Sequence, residues 1–147
     1  MPELVEVTDR QGRLVFPEWL PRAEAVHRQL RPQMPADYAA KMQRVFGGGG
    51  RMLLAVEGQR VLGVAIWRST ENTFAGVYLY VDDLVVDENL RSRGTGRLLL
   101  SGCEKIAREL GCAVLLLESG TQRTQAHKFY FREGMTIDSF SFRKALA

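Results

Sequence analysis

Residues 84–96 read LVVDENLRSRGTG, and this stretch decides how the rest of the chain is interpreted. Its first three residues are apolar, as at the end of a buried strand, and the residues from Thr95 onward have the spacing of an amphipathic helix. Gly94 and Gly96 lie between these two elements. Because the first amides of a helix have no partner inside it, a glycine turn here exposes N–H groups to an approaching anion. The stretch therefore predicts an anion-binding turn between a strand and a helix.

Three arginines surround this turn, namely Arg91, Arg93 and Arg97. Guanidinium groups add charge-assisted hydrogen bonds, which are about twice as strong as neutral ones, so a multiply charged ligand is favoured. An ordinary strand-to-helix turn with solvated arginines is the alternative. A dinucleotide-binding loop would need a third glycine at position 99, which is Leu99, and an early place in an alternating strand and helix series. Both conditions fail.

The elements after the turn are predicted from their apolar periodicity. A helix over 95–110 ends at Gly111, and the wholly apolar residues 113–117 form a strand covered on both faces. Strand, helix and strand make one unit whose two strands run parallel. A short helix follows over 124–132, and residues 135–142, with Phe140 and Phe142 on one face, predict a last strand.

The elements before the turn are predicted in the same way. They are a strand over 4–8, helices over 21–30 and 35–46, a hairpin of strands over 52–56 and 60–67, and a strand over 74–86. The glycine run 47–50 lacks the Lys-Ser or Lys-Thr of a phosphate loop and is interpreted as a connector. The chain is thus expected to form a single domain, 1–147, of the α/β (α+β) class, with a mixed, mostly antiparallel central sheet and flanking helices.

Composition limits the classes of function. Apolar residues make up 46% and charged residues 25%, as in ordinary globular proteins. The net charge of +3 suits a polyanionic small ligand and falls short of a nucleic-acid-binding stripe, so no nucleic-acid partner is expected. No window approaches about 20 apolar residues and no targeting segment is visible, so a cytoplasmic protein with no membrane partner is expected. Cys103 and Cys112 have neither disulfide nor metal-ligand spacing, and no metal site is expected.

Two signatures resemble those of one known family. Residues 84–96 closely resemble the acetyl-CoA signature of the GNAT N-acetyltransferases, which is Arg or Gln, two residues, Gly, one residue, and Gly or Ala. Residues 126–135, AHKFYFREGM, are similar to the second signature, an alanine with a tyrosine four residues on and then Gly with an apolar residue. The resemblance covers 74–142, and the elements before it follow the family's usual order.

The resemblance implies a fold, a reaction and a cosubstrate. The parallel fourth and fifth strands should splay apart, and acetyl-CoA should give its acetyl group to a primary amine by direct attack in a ternary complex. The acceptor would be a small molecule or a peptide, and the sequence does not identify it. A non-catalytic acyl-CoA-binding or partner-binding module of the same fold is the alternative.

The resemblance also implies cofactor-binding residues. The pantetheine arm should pair with the backbone of Leu84, Val85 and Val86. The pyrophosphate should lie on Arg91, Ser92, Arg93, Gly94, Thr95 and Gly96. Arg123 stands where family members often carry an asparagine that contacts the cofactor, and an arginine there could reach a phosphate or a substrate carboxylate.

The main catalytic candidates are Tyr130, Glu118 and Asp83. By resemblance, Tyr130 donates a proton to the departing thiolate. An amine with a pKa of about 10.4 must also lose a proton, for which Glu118 and Asp83 rank equally, with Asp82 a further candidate. Strand alternation places Asp82 and Asp83 on opposite faces unless a bulge intervenes, and both could instead bind a neighbouring arginine. Apolar residues of the last predicted strand could support a homodimer.

Overall fold

The computed structural model describes residues 1–91 and 93–147. The elements in chain order are β1 (Glu3–Glu6), α1 (Trp19–Leu30), α2 (Tyr38–Gly47), β2 (Arg51–Glu57), β3 (Arg60–Asn72), β4 (Gly76–Val86), a 3-10 turn (Glu88–Leu90), α3 (Thr95–Glu109), β5 (Val114–Leu117) and α4 (Thr124–Arg132). Among these residues, no helix combines the length and the apolar character that crossing a bilayer requires.

The five strands form one sheet in the order β1-β2-β3-β4-β5. The pairs β1–β2, β2–β3 and β3–β4 are antiparallel, and β5 runs parallel to β4. The predicted mixed, mostly antiparallel sheet with one parallel pair is therefore confirmed. The amide of Ala113 donates to the Val77 carbonyl at 2.9 Å, just before β5 begins. Because β5 has only four residues, the C-terminal half of β4 extends beyond it.

The helices cover both faces of this sheet. On one face, α1 and α2 pack on Val64 and Ile66 in the main core cluster. On the other face, α3 lies so close to β3 that a Cβ at Gly63 would be 2.8 Å from Cδ1 of Leu99. Alternation along β3 explains how neighbouring residues reach different helices. β3 therefore contacts helices on both faces of the sheet.

Local side chains decide the ends of the helices. The structure starts α2 at Tyr38 instead of the predicted position 35, because the Asp37 carboxylate accepts the amide of Ala40 at 3.0 Å and caps the helix. The glycine run closes α2, since the Gly50 amide donates to the Val45 carbonyl at 2.9 Å. A Cβ at Gly50 would lie 2.5 Å from a methyl group of Val45, so this close turn requires glycine.

The predicted last strand over 135–142 is wrong. Residues 135–147 form neither helix nor strand, and Ile137, Phe140 and Phe142 are exposed. An extended segment becomes a strand only when a neighbouring backbone pairs with it, and the five-stranded sheet of the described residues does not include this segment. Alternating aromatic residues gave no information about that partner.

The chain divides into two compact units, Met1–Leu116 and Leu117–Ala147. The first unit contains β1 to β4, α1 to α3 and most of β5. The second contains α4 and the segment after it. The single domain over 1–147 stays a prediction.

Candidate active site

The turn between β4 and α3 has the geometry that the sequence predicts. Gly94 has φ 82° and ψ 3°, a left-handed conformation that glycine adopts without strain. The first helical hydrogen bond of α3 runs from the Leu98 amide to the Gly94 carbonyl at 3.0 Å. The amides of residues 95–97 therefore precede the helical ladder, and within the described chain no side chain caps α3.

The surroundings of this turn are positively charged. Arg91, Arg93 and Arg97 are all exposed at the helix start, where the helix dipole also favours an anion. Thr95 is buried, so the exposed charged side chains at this turn are the arginines. Ser92, predicted to contact the pyrophosphate, lies outside the described residues. The arrangement can bind a multiply charged anion.

The loop that leads into the turn is held by Asp87 and Gln29. The Asp87 carboxylate accepts the amide of Asn89 at 3.1 Å and receives longer contacts from Gln29 and Arg60. The Asn89 amide is the main cause of a lowered pKa at Asp87. The Gln29 side chain also accepts the amide of Glu88 at 2.9 Å, which joins α1 to the loop. Sequence reasoning missed Gln29, because one glutamine on a helix gives no signal of its contact.

The C-terminal part of β4 has backbone N–H and C=O groups that its short neighbour β5 does not reach. Leu84, Val85 and Val86 lie opposite Ala65, Val64 and Gly63 of β3 in the antiparallel register. Because β5 is short, this part of β4 extends past its parallel neighbour. That geometry is compatible with a ligand that adds to the open edge, as the family resemblance implies for the pantetheine arm.

A β-bulge determines where the two β4 aspartates lie. Ile66 of β3 is opposite Asp83 and Trp67 is opposite Val81, which makes Asp82 the extra residue. Asp82 is bound by Arg68, and Asp83 is bound by side chains of α1. The bulge therefore turns both carboxylates toward the α1 and α2 side of the sheet, and the simple alternation that would separate them does not hold.

Asp83 is held by a histidine and an arginine. Its Oδ2 lies 2.7 Å from Nε2 of His27, and its Oδ1 accepts from Nε of Arg31 at 2.8 Å. Burial alone would raise the pKa of Asp83, but the hydrogen bond and charge of His27 and the charge of Arg31 outweigh it, and the net pKa is lowered. A carboxylate held in this way is a weak proton acceptor.

His27 connects Asp83 to Tyr38. The imidazole is 1% exposed, and its Nδ1 lies 2.7 Å from the Tyr38 hydroxyl. Burial and the charges of Glu24 and Asp83 raise the pKa of Tyr38, so its phenol stays neutral. A proton on Nε2 of His27 is donated to Asp83, and the contact between Nδ1 and the Tyr38 hydroxyl runs in either direction, depending on whether Nδ1 carries a hydrogen. The sequence did not indicate this chain of hydrogen bonds.

A pocket opens beside these residues. Its volume is about 310 Å³, and charged or polar side chains of α1, α2, β3 and β4 line it together with apolar ones. The polar and charged residues that matter below are His27, Arg31, Lys41, Arg68, Asp82 and Asp83. The size is near the lower end of small-molecule sites, about 300–1,000 Å³. Trp67 is buried and does not line this pocket.

The second unit carries the other predicted catalytic residues. Tyr130 lies on α4, and burial raises its pKa while the nearby Arg123 partly opposes the rise. Its phenol is therefore protonated at neutral pH and can donate a proton. Glu118 follows β5 and is exposed. Nε2 of His127 donates to the Gly120 carbonyl of the same segment at 2.9 Å, so that nitrogen carries a hydrogen.

Comparison with known proteins identifies the family. The family model described as Acetyltransferase (GNAT) family matches residues 16–135, more than half of the chain. The chain therefore belongs to the GNAT acetyltransferase family. The resemblance predicted from residues 84–96 and 126–135 is confirmed.

Curated relatives share part of the chain. The Uncharacterized N-acetyltransferase YhdJ of Bacillus subtilis (strain 168) is 43% identical over 70 residues, which are 47% of this chain and 49% of that protein. Aminoalkylphosphonate N-acetyltransferase of Salmonella typhimurium is 38% identical over 66 residues, 45% of this chain and 43% of that protein. The matches thus span about half the length of these relatives.

A solved structure shows the same fold. The crystal structure of an acetyltransferase from Trypanosoma brucei superposes with a TM-score of 0.79 at 20% identity, covering 99% of this chain and all of the other. At that identity the likeness concerns the fold alone.

Proposed function

We propose that this chain is an acetyl-CoA-dependent N-acetyltransferase that acts on a primary amine in a ternary complex. The observation that carries the proposal is the left-handed Gly94 turn, which opens the amide end of α3 among arginines in a member of the GNAT family. In this proposal Arg91, Arg93, Gly94, Thr95 and Gly96 bind the pyrophosphate of the cosubstrate, with Ser92 between them. Helix starts bind phosphate through the amides and the dipole together.

The remaining cofactor contacts follow from the open strand edge. The backbone of Leu84, Val85 and Val86 pairs with the pantetheine arm, which brings the thioester alongside β4. Arg123 is a further cation for the cofactor or for an acceptor carboxylate. Its effect on the pKa of Tyr130 supports a place close to the phenol.

The proposed reaction is direct acetyl transfer. The neutral amine attacks the thioester carbonyl carbon, a C–N bond forms, and the C–S bond breaks to release the thiolate of coenzyme A. Tyr130 donates its phenolic proton to that thiolate, because its raised pKa keeps it protonated. Glu118 and Asp83 are the proposed acceptors of the amine proton. Because the pKa of Asp83 is lowered, Asp83 stays ionised and accepts a proton less readily, which favours Glu118 as the base.

We assign the acceptor to the pocket of the first unit. Its volume of about 310 Å³ favours a small molecule over a peptide. A curated relative is named as acting on aminoalkylphosphonates, and an acceptor of similar size would fit this volume.

The proposal is tested by binding and turnover together. Calorimetry with acetyl-CoA should show binding, and S-acetylpantetheine, which lacks the diphosphate, should bind much more weakly. Release of the coenzyme A thiol should then be measured with a library of primary amines. Tight binding without turnover across the library would support the non-catalytic module instead, and equal binding of both thioesters would contradict the pyrophosphate site.

A further inference from the structure

Lys41 differs from the other charged residues of the pocket. Arg68 is bound to Asp82, and Arg31 is bound to Asp83. Lys41, which also lines the pocket from α2, makes no hydrogen bond or ion pair through its ammonium group with any residue that the structure describes. The pocket therefore contains two neutralised carboxylates and one cation whose charge is not matched.

The charged side chains that line the pocket also leave it with a net positive charge. Three cationic side chains, Arg31, Lys41 and Arg68, face two anionic ones, Asp82 and Asp83. Both carboxylates already accept guanidinium hydrogen bonds, so they attract a further cation less than free carboxylates would. A partly enclosed pocket strengthens the remaining positive charge, since solvent screens it less.

We propose that Lys41 binds an anionic group of the acceptor, so that the preferred substrate is a small amine that also carries a carboxylate, phosphonate or phosphate. This inference rests on the proposed acetyltransferase function and specifies its substrate class. The ammonium of a lysine is a compact point charge that binds any of these anions. The amine end of the same molecule then remains free to meet the thioester.

The first test compares matched acceptors. Release of the coenzyme A thiol is measured with 2-aminoethylphosphonate and with n-propylamine, an amine of comparable length that carries no anionic group. The ratio of kcat/KM should favour the phosphonate by about tenfold or more, the usual effect of one hydrogen bond to a charged group. Lys41→Gln should reduce that ratio toward one, mainly through the KM of the phosphonate, and Lys41→Arg should restore most of it.

A matched control removes the same charge elsewhere. Lys105 is exposed on α3 and does not line the pocket, so Lys105→Gln should leave the ratio unchanged. Thermal unfolding of each variant shows whether it is folded. An unchanged ratio in Lys41→Gln, or an equal preference for both amines in the wild type, would overturn the inference.

A second measurement does not depend on turnover. Ethylphosphonate, which has no amine, is titrated by calorimetry into protein saturated with coenzyme A, so that the pyrophosphate turn is already occupied. Binding that Lys41→Gln weakens about tenfold would support the anion site even if no amine were acetylated. Turnover only of amines that carry no anionic group, with no binding of ethylphosphonate, would leave the acetyltransferase function standing and refute the role of Lys41.

Discussion

Arg68 donates two hydrogen bonds to one carboxylate oxygen of Asp82, from Nε at 2.9 Å and from Nη2 at 2.7 Å. Its third nitrogen, Nη1, donates to the Gly48 carbonyl at 3.0 Å. One guanidinium group therefore joins the bulged residue of β4 to the turn that closes α2. This contact therefore links β3 and β4, whose side chains line the pocket, to the end of α2.

Arg68→Gln should lower the free energy of unfolding by about 1–3 kcal/mol, because Asp82 keeps its charge in a half-buried place without its partner. Urea unfolding at neutral pH measures the change. Arg13→Gln is the matched control, since Arg13 pairs with Asp9 on the surface with its side chain 79% exposed. The control should lower the free energy of unfolding much less, because solvent screens an exposed ion pair. Equal losses in the two variants would show that the Arg68 contact has no special structural role.

Gly94→Ala should weaken acetyl-CoA binding by about tenfold. A Cβ at Gly94 meets no atom within 4 Å, so the substitution acts through the backbone, where φ 82° disfavours an L-residue by about 1–2 kcal/mol. Relaxation of that strain turns the amides of the α3 start away from the ligand. Calorimetry with acetyl-CoA measures the affinity.

The control for this prediction is Gly58→Ala. Gly58 also has a positive φ, 59°, and open space at its Cβ, but it lies in the turn between β2 and β3. Both variants should lose a similar amount of stability. If Gly58→Ala lost affinity as well, the effect at Gly94 would reflect general destabilisation and not the phosphate turn.

The sequence predicted the turn around Gly94 better than the pocket, and the reason is physical. Gly94 and its neighbouring arginines act through local backbone geometry, which a short motif records. The placement of Asp82 depends on the register between β3 and β4 and on a guanidinium group 14 positions away. The contact from His27 to Asp83 spans 56 positions and carries no periodic signal. Residues 135–142 show the reverse case: their alternating apolar residues predict a strand, but no neighbouring strand of the described residues pairs with them.

Asp83→Asn should be less stable than the wild type at neutral pH, and the difference in the free energy of unfolding should shrink as the pH falls. The pKa of Asp83 is lowered in the folded protein, so its ionised form contributes stability above its unfolded value of about 4 and loses that contribution as the pH drops toward the folded value. The variant should therefore be less stable at pH 7 and approach the wild type below about pH 4. Urea unfolding from pH 7 to pH 3 measures this. A constant difference over that range would mean that the contacts from His27 and Arg31 do not favour the ionised carboxylate.

Tyr130→Phe should lower kcat by about 100-fold or more while the Kd for acetyl-CoA stays nearly the same, because the variant loses the proton donor and keeps the aromatic ring. Burial raises the pKa of Tyr130, so the wild-type donor remains protonated through neutral pH, and its loss should be seen across that range. Thiol release and calorimetry measure the two quantities. Tyr78→Phe, which removes a hydroxyl from β4, is the matched control and should retain its turnover. If Tyr130→Phe turned over as fast as Tyr78→Phe, the thiolate would have to leave without a proton from Tyr130, and solvent would become the donor.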